Sequence, residues 1–502
     1  MLIGDAFVDA SDGQVMSIVN PATGQVVDTV PAATAADVDR AVEIALGAQV
    51  EWARTPLRER VRLINAVADV VYERREELAQ ILSAESGKPC VAEAVPELME
   101  VAYVLKTAGE VAKHHYGQSM PLGTQAGFDE DIQFTLHEPV GVIACIVPFN
   151  FPPAIWAFKV GAALAAGNSV IVKAPTVDPL AVLKLHEILI EVGIPGRVAQ
   201  CLTGGGPEVG GALARDPRIS AINFTGSTAT GVSIAKGAAD NLTNYYFELG
   251  GNDPLIICED ADLDLAVSEA GDKSRNSGQA CTAAKRFIVH NSLKEEFVAR
   301  LIDERLEPLV LGDPSDEKTT MGPLVTESAA RTVEEQVDKT VEQGAKIVFG
   351  GNRRGAFYEP TVLTDVTSSM DIARDMEVFG PVWPVIGFDT VDEAIEIANN
   401  TRYGLGGGVI TRDMAAAFRI ATALRTGHVA INGSGGFRAA ELPFGGGQKA
   451  SGNSRESMAA VMSEVTQTKS IILRYVLREE QSPEQDSLSS GYPGDAGALA
   501  DA

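Results

Sequence analysis

The sequence predicts an α/β fold made of two successive domains, each containing a sheet of mostly parallel strands covered by helices. Short apolar runs alternate with helical segments from residue 140 to about residue 440, as buried parallel strands and their crossover helices do. The 502 residues are also too many for one hydrophobic core. The two α/β series meet at Glu248–Gly251, where a strand ends in two glycines.

The N-terminal region is predicted to be mainly helical. Apolar positions recur at helical spacing through 36–82, which predicts two helices, and a further helix is predicted over 91–113. The stretch that follows alternates polar and apolar side chains, with Ile132, Phe134 and Leu136 on one face. This alternation predicts a half-buried strand before the first sheet.

The first sheet is predicted to contain strands separated by helices of about three turns. The strands are Val140–Val147, Ser169–Val172, Arg197–Leu202, Ala221–Phe224 and Tyr245–Leu249, and the helices are 153–166, 179–192, 207–214 and 228–238. A second α/β series runs from about residue 254 to about residue 440. Residues 479–502 contain six acidic residues, no basic residue and few apolar ones, which predicts a disordered acidic tail.

The composition is typical of a soluble globular enzyme, with 45% apolar and 22% charged residues. The net charge of −27 argues against nucleic acid and anionic membranes as partners. The N-terminus lacks a basic segment followed by an apolar one, and no apolar run is long enough to span a bilayer. Because cysteines are also few, we expect a cytoplasmic protein.

Cys281 is the candidate nucleophile, because its neighbours Ala280 and Thr282 are small and leave the sulfur open to a substrate. Thiolate chemistry requires exposure and a polar setting, so the other cysteines are expected to be structural. These are Cys90, Cys145, Cys201 and Cys258. The absence of a Cys-x-x-Cys motif argues against zinc and dithiol redox chemistry, and no metal is expected.

Glu248 is the candidate base. It stands thirty-three residues before Cys281, at the end of an apolar stretch and just before Gly250 and Gly251. Backbone at such glycines can pass close to a ligand. A thiol and a carboxylate in these settings suit covalent catalysis followed by hydrolysis.

Three further segments are candidates for a ligand site. Ala221–Gly231 predicts a strand, a sharp turn and a helix start, where backbone amides attract phosphate. Lys173 and Asn150 each follow a buried strand, at the edge where ligands collect on parallel sheets. From the residues alone, a capped turn, a solvated strand end and a proline-rich turn also explain these segments.

The chain resembles the aldehyde dehydrogenase superfamily from about residue 15 to about residue 475, because six motifs and one lysine occur in the family's order. They are Pro148-Phe149-Asn150-Phe151-Pro152, Lys173, Phe224-Thr225-Gly226-Ser227, Glu248-Leu249-Gly250-Gly251, Gly278-Gln279-Ala280-Cys281, Glu377-Val378-Phe379-Gly380-Pro381 and Pro443-Phe444-Gly445-Gly446. The resemblance implies a homodimer or homotetramer. It also implies a Rossmann-like cofactor domain (1–118 and 139–249), a catalytic domain (250–445) and oligomerisation segments (119–138 and 460–476).

The resemblance further implies NAD(P)-dependent oxidation of an aldehyde to a carboxylic acid. The Cys281 thiolate would attack the carbonyl to give a thiohemiacetal, and hydride transfer to the nicotinamide would leave a thioester. The Asn150 amide and the Cys281 backbone N–H would stabilise the oxyanion. Glu248 would activate the water that hydrolyses the thioester.

The same resemblance implies that Lys173 and Glu377 bind the two cofactor riboses, Ser227 a phosphate, and that Phe379 packs near the nicotinamide. The remaining residues predicted to contact the cofactor are Pro148, Phe149, Thr176, Gly226, Gly231, Leu249 and Gly250. Thr176 stands where many members have a glutamate, which would repel a 2′-phosphate. We therefore predict that NADP is accepted, alongside NAD.

The predicted substrate is a small polar or anionic aldehyde. Arg438 lies in a loop that borders the aldehyde entrance in this family, and its guanidinium could bind a carboxylate, phosphonate or phosphate. Phe151, Ile155 and Phe158 are predicted as apolar walls, with Thr282 beside the nucleophile, which also permits a neutral aldehyde. The motifs are most similar to the branch of lactaldehyde, phosphonoacetaldehyde and non-phosphorylating glyceraldehyde-3-phosphate dehydrogenases.

Two other activities remain open from the sequence. A CoA-acylating semialdehyde dehydrogenase would use the same cysteine, but such relatives generally lack the glutamate matching Glu248, so its presence favours water. A cysteine hydrolase or amidase would need a histidine partner. None of the six histidines lies in a motif near Cys281.

Overall fold

The computed structural model describes residues 1–436, 439–446 and 448–477. The described chain forms two compact units, one of residues 1–115 and 139–466 and a smaller one of residues 116–138 and 467–477. The larger unit contains two seven-stranded sheets in which most strands are parallel. The predicted α/β fold class is therefore confirmed.

Between residues 142 and 248, strands and helices alternate as the apolar runs predict. The helices are α1 (Ala35–Arg54), α2 (Leu57–Glu73), α3 (Arg75–Ser86), α4 (Val95–His114), α5 (Pro152–Ala166), α6 (Leu180–Glu191), α7 (Gly211–Arg215), α8 (Thr228–Ala239), α9 (Leu263–Gly271), α10 (Lys294–Leu301), α11 (Glu327–Glu342), α12 (Val391–Asn399), α13 (Met414–Ala423) and α14 (Met458–Glu464). The strands are β1 (Leu2–Ile3), β2 (Ala6–Phe7), β3 (Val15–Val19), β4 (Val26–Pro31), β5 (Ile132–Pro139), β6 (Val142–Ile146), β7 (Ser169–Lys173), β8 (Ala199–Leu202), β9 (Ala221–Thr225), β10 (Asn244–Glu248), β11 (Asp253–Ile257), β12 (Ala284–His290), β13 (Lys346–Phe349), β14 (Arg353–Arg354), β15 (Phe357–Tyr358), β16 (Thr361–Val366), β17 (Val382–Phe388), β18 (Gly408–Ile410), β19 (Ala430–Ile431) and β20 (Thr466–Leu473).

The N-terminal region differs from the prediction in two respects. First, the sequence did not predict the strands β1 to β4 that precede its helices. Second, the sequence predicts two helices in 36–82, whereas the structure has α1, α2 and α3, because Arg74 (φ −98°, ψ 13°) leaves helical geometry and separates the last two. Helix α1 begins with a capping box, in which the Thr34 side chain accepts the Asp37 N–H and the Asp37 side chain accepts the Thr34 N–H. Such a cap satisfies amides that the first helical turn leaves unpaired.

The first sheet has the order β10-β9-β6-β7-β8-β1-β2, and its five strands from β10 to β8 are parallel. Ile146 at the end of β6 pairs with Lys173 at the end of β7. Thr225 at the end of β9 pairs with Glu248 at the end of β10. These strand ends share one edge of the sheet, which is where open α/β sheets bind ligands.

The second sheet has the order β13-β16-β17-β12-β11-β18-β19. Only β13, at its edge, is antiparallel to its neighbour within this sheet. The chain passes from β10 of the first sheet to β11 of the second through the short connection 249–252. Only this short connection separates the carboxyl end of β10 from the first strand of the second sheet.

Helix α5 is the most deeply buried helix beside the first sheet. It packs on α2, α4 and α14, and its aromatic residues Trp156 and Phe158 are 0% and 2% exposed. Burying a large apolar side chain contributes roughly 1.5–3 kcal/mol to stability. In the described part of the chain, no helix combines the length and apolar character needed to cross a bilayer.

The strands β5 and β20 form a two-stranded sheet, most of whose residues belong to the smaller unit. The strand predicted around Ile132, Phe134 and Leu136 is thus present, as part of β5. The predicted acidic tail, 479–502, lies outside the described residues.

Candidate active site

A cavity of about 980 Å³ lies at the carboxyl edge of the first sheet. Its walls combine strand ends of the first sheet with the start of α8 and with residues that flank the second sheet. The predicted catalytic and cofactor residues that line it are Pro148, Phe149, Asn150, Lys173, Thr176, Gly226, Ser227, Leu249, Gly250, Cys281, Glu377 and Phe379. Most of the residues selected from the sequence therefore meet around one space.

The loop before Cys281 is irregular and is fixed to the first sheet. Asn276 and Ser277 have φ angles of 49° and 52°. These left-handed conformations are costly for residues other than glycine, and they cluster at functional sites. The Asn276 Nδ2 atom donates to the backbone oxygen of Asn150 at 2.8 Å. Cys281, which is half-buried, and Asn150 line the same cavity. Asn150 follows β6 of the first sheet, whereas Cys281 precedes β12 of the second sheet.

The other cysteines have different surroundings from Cys281. Burial raises the pKa of the Cys145 and Cys201 thiols to about 12 and that of Cys258 to about 11. Burial also raises the pKa of Cys90. Thiols with raised pKa values are poor nucleophiles near neutral pH because little thiolate is present.

Glu248 is buried and is not among the residues that line the cavity. It is 5% exposed, and the Gly446 N–H donates to both of its carboxylate oxygens at 3.2 Å. Burial raises the pKa of Glu248 well above its usual value and Glu456 raises it further, while the Gly446 N–H and Lys159 lower it. The carboxyl group therefore keeps its proton to a higher pH than an exposed glutamate would.

A buried polar cluster beside Glu248 was not found by sequence reasoning. The Lys159 Nζ atom donates to the Asn223 Oδ1 atom at 2.5 Å and lies 3.7 Å from Oε1 of Glu456. The Ser454 hydroxyl donates to Oε1 of Glu464 at 2.7 Å, and burial raises the pKa of Glu464 to about 7. The sequence contains one signal for this cluster, since Lys159 is the only charged residue in the apolar helix α5.

The residues predicted to bind the adenosine side of a cofactor lie close together. The Lys173 Nζ atom donates to the Thr176 hydroxyl at 2.9 Å, and that hydroxyl donates to the Gly204 backbone oxygen at 3.2 Å. Burial lowers the pKa of Lys173 to about 8. Ser227 caps α8, since its hydroxyl accepts the Thr230 N–H at 3.2 Å, so the helix N-terminus faces the cavity.

Glu377 and Phe379 reach the cavity from the second sheet. Oε1 of Glu377 accepts the Gly251 N–H at 3.1 Å. A Cβ atom on Gly250 would lie 2.2 Å from Oε2 of Glu377, so this approach requires glycine. The rings of Phe379 and Phe149 meet edge to face with centroids 5.9 Å apart.

The other predicted residues within the described part of the chain do not line this cavity. Gly231 packs under Leu249, and a Cβ atom there would lie 2.9 Å from the Leu249 Cδ2 atom. Ile155 and Phe158 are 3% and 2% exposed within the core around α5. Phe151 has the Lys88 ammonium 4.0 Å above its ring, and Thr282 is half-buried next to Cys281. Arg438 lies outside the described residues.

The cavity fits a dinucleotide cofactor by its size and its donor groups. It offers a capped helix N-terminus for phosphate, the Lys173 ammonium and the Glu377 carboxylate for hydroxyl groups, and two aromatic rings. Among the described residues, the Thr225 hydroxyl on its wall is buried without a hydrogen-bond partner. A bound ligand would satisfy that hydroxyl.

The chain matches the aldehyde dehydrogenase family over residues 7–471. It belongs to that family. The 3-sulfolactaldehyde dehydrogenase of Priestia megaterium is 38% identical over 459 residues, which cover 91% of this chain and 94% of that protein. The predicted family is therefore confirmed.

Solved structures agree with the assignment of this chain to the aldehyde dehydrogenase family. An NADP-dependent enzyme of E. coli matches with a TM-score of 0.90 and 34% identity, covering 94% of this chain and 97% of that one. Betaine aldehyde dehydrogenase of Staphylococcus aureus in complex with NAD+ matches with a TM-score of 0.90 and 33% identity, covering 96% and 98%. The protein is thus an oxidoreductase that oxidises aldehydes with NAD(P).

Proposed function

We propose that this aldehyde dehydrogenase oxidises a small anionic aldehyde to its carboxylic acid, with Cys281 as the nucleophile and water as the acyl acceptor. The observation that carries this proposal is the placement of Cys281 and Asn150 in one cavity, linked through Asn276. A thiol and an amide donor in a half-buried setting suit attack on a carbonyl and stabilisation of the resulting oxyanion.

In the first step, the Cys281 thiolate attacks the aldehyde carbon to form a thiohemiacetal. The Asn150 side-chain amide and the Cys281 backbone N–H stabilise the oxyanion, and one such donor contributes on the order of 3 kcal/mol. The Asn276 bond to the Asn150 backbone keeps that donor in place. When bound, the cofactor would supply a hydride acceptor for the aldehyde hydrogen. Cys281 would then hold the acyl group as a thioester.

In the second step, Glu248 takes a proton from the water that hydrolyses the thioester. The raised pKa of Glu248 makes its carboxylate a stronger base than an ordinary glutamate. Glu464, whose charge raises the pKa of Glu248 and whose own pKa burial raises to about 7, is a carboxylate that can take up that proton. Because a carboxylate base of this kind can activate water, it supports water rather than CoA as the acceptor of the acyl group.

The cofactor proposal is that NADP is accepted alongside NAD. The Lys173 ammonium and the Thr176 hydroxyl lie side by side on the cavity wall, and neither repels a 2′-phosphate. In the place of Thr176, a glutamate would add a negative charge next to that phosphate. Coulombic repulsion at such short range is worth several kcal/mol where water is partly excluded.

The substrate proposal rests on a relative and on the sequence of one loop. The Priestia megaterium relative is a 3-sulfolactaldehyde dehydrogenase, whose name denotes a sulfonated aldehyde. Arg438, in the loop predicted to border the aldehyde entrance, offers a guanidinium for such an anionic group. We therefore favour an aldehyde that carries a sulfonate, phosphonate, phosphate or carboxylate.

A panel of anionic aldehydes and neutral aldehydes of similar size tests the proposal. Each is incubated with NAD or NADP, with and without CoA, and reduced cofactor and acid product are measured. The expected result is a higher kcat/KM for anionic aldehydes, a free acid as product, and no requirement for CoA. Cys281→Ala should abolish turnover while cofactor binding persists. An acyl-CoA product, or turnover by Cys281→Ala, would contradict the proposal.

A further inference from the structure

Lys285 contacts three residues of the candidate site. Its Nζ atom donates to the backbone oxygen of Cys281 at 2.5 Å and lies 3.4 Å from Oε1 of Glu377. The same atom lies 5.9 Å from the ring centroid of Phe379. One ammonium group therefore lies between the proposed nucleophile and two residues proposed to contact the cofactor.

The side chain of Lys285 is only 1% exposed, so its charge must be balanced inside the protein. Glu377 provides one negative partner. Asp253 provides another, because burial raises the pKa of Asp253 while Lys285 and His428 lower it. Two carboxylates thus lie close enough to Lys285 to interact with its side chain.

A second buried lysine nearby offers a comparison. Lys273 is 2% exposed, and its Nζ atom donates to the backbone oxygens of Gly278 and Val378 at 3.4 Å. Burial and the charge of Lys285 lower the pKa of Lys273 well below its usual value. Lys273 is therefore the lysine of this pair whose charged form is disfavoured by its surroundings.

We propose that Lys285 is a positioning residue that holds the Cys281 loop against Glu377 and brings a positive charge close to the nucleophile. The inference rests on the proposed function, in which Cys281 is the nucleophile. Lys285 belongs to β12, which is flanked by β11 and β17 in the second sheet, so its backbone is well anchored. A rigid anchor of this kind keeps a reactive group in one geometry.

The charge has a measurable consequence for the thiol. A cation close to a cysteine favours the thiolate, which is the form that reacts with alkylating reagents. Removing the cation should move the pH midpoint of Cys281 alkylation upward. The neighbouring carboxylate of Glu377 should act in the opposite direction, because it disfavours a second negative charge.

The test measures alkylation of Cys281 by iodoacetamide between pH 5.5 and pH 9.5, with the modified peptide identified by mass spectrometry. For Lys285→Met we expect a midpoint about one pH unit higher and a rate at pH 7 about five- to tenfold lower. Lys285→Arg should keep the wild-type midpoint because it keeps the charge. An unchanged profile in Lys285→Met would overturn the proposal.

Lys273→Met is the matched control, since it also removes a buried lysine beside the same loop. It should leave the midpoint within about 0.3 pH unit of the wild type. A shift equal to that of Lys285→Met would show a general effect of lost burial and would overturn the proposal. Circular dichroism and thermal unfolding establish that each variant is folded.

If Lys285→Met does not fold, Glu377→Gln carries the test. This variant removes the carboxylate that contacts the Lys285 ammonium together with the Cys281 backbone oxygen. Because a negative charge near the thiol is lost, the pH midpoint of Cys281 alkylation should fall. A midpoint that stays unchanged or rises would overturn the proposal. Failure of the proposed function has a different signature, because turnover would then survive complete alkylation of Cys281. Loss of turnover on alkylation, with no shift in Lys285→Met, would reject only the role of Lys285.

Discussion

The backbone N–H of Gly446 donates to both carboxylate oxygens of Glu248, at 3.2 Å each. The preceding Gly445 has a φ of +117°, and a Cβ atom there would lie 2.2 Å from Oε2 of Glu248. Two consecutive glycines thus allow a buried carboxyl group to lie directly against the backbone. This contact positions the proposed base outside the cavity lining and beside Lys159 and Glu456.

Glu248→Gln should separate the two halves of the reaction. The amide keeps the size of the side chain but cannot accept a proton from water, so acylation of Cys281 should proceed and hydrolysis should stall. Rapid mixing with aldehyde and cofactor should show a burst close to one reduced cofactor per site, followed by a steady rate at least about a hundredfold below the wild type. Steady turnover at the wild-type rate would refute the role of Glu248.

Thr176→Glu should change cofactor choice. The new carboxylate would lie next to Lys173 and would repel a 2′-phosphate, while it could accept hydrogen bonds from a ribose. We expect kcat/KM with NADP to fall about tenfold or more, with a smaller change for NAD. Thr176→Ser, which keeps the hydroxyl that contacts Lys173, is the control. A wild-type preference for NAD above about a hundredfold would contradict the prediction that NADP is accepted.

Glu464→Gln should stabilise the protein in a pH-dependent way. Burial raises the pKa of Glu464 from 4.5 to about 7, so the folded protein binds more protons than the unfolded chain between these values. Wild-type stability attributable to this group is therefore present below pH 4.5 and is lost as pH rises to about 7. The variant, whose amide oxygen can keep the Ser454 bond, should gain up to roughly 3 kcal/mol by pH 7.5. A stability difference between variant and wild type that is independent of pH would reject the assignment.

Arg438→Ala should raise KM for anionic aldehydes by about tenfold while sparing neutral aldehydes of similar size. The physical reason is the loss of a guanidinium that can donate two hydrogen bonds to the anionic group of the substrate. Arg412→Ala is a suitable control, because Arg412 is 71% exposed and pairs with Asp262. If both substrate classes respond equally, Arg438 does not select the substrate.

The protein is predicted to form a homodimer or homotetramer through its small sheet. Leu136 on β5 and Ile472 on β20 are 43% and 52% exposed, and a two-stranded sheet alone is marginally stable in water. Light scattering should show an oligomer at micromolar concentration, and Leu136→Asp should shift it to smaller species. Leu242→Asp, at a loop residue that is 90% exposed, should have no effect. A monomeric wild-type protein would contradict the prediction.

Much of the fold could be predicted because it depends on local patterns. The apolar run around Val142–Ile146 predicts a buried strand, and the run around Pro152–Ala166 predicts a helix covering it. The ends of parallel strands share one sheet edge, so Asn150 and Lys173 could be expected on one side of the protein. The short strands β1 to β4 and the boundary at Arg74 were not predicted. Strands of two to six residues show little alternation, and a single residue outside helical geometry leaves the apolar periodicity intact.

The sequence by itself determined the family, the alternation of strands and helices in the first sheet, and the candidates Cys281, Asn150 and Glu248, because motifs and periodicities are local. The tertiary structure alone decided which side chains meet. Glu248 accepts a hydrogen bond from the backbone of Gly446, 198 residues away. Lys285 pairs with Glu377 on a different segment of the chain. Such contacts join residues that are far apart in sequence, and their burial sets the charges and pKa values on which the chemistry depends. No local pattern specifies them, because they arise only when the two sheets pack together.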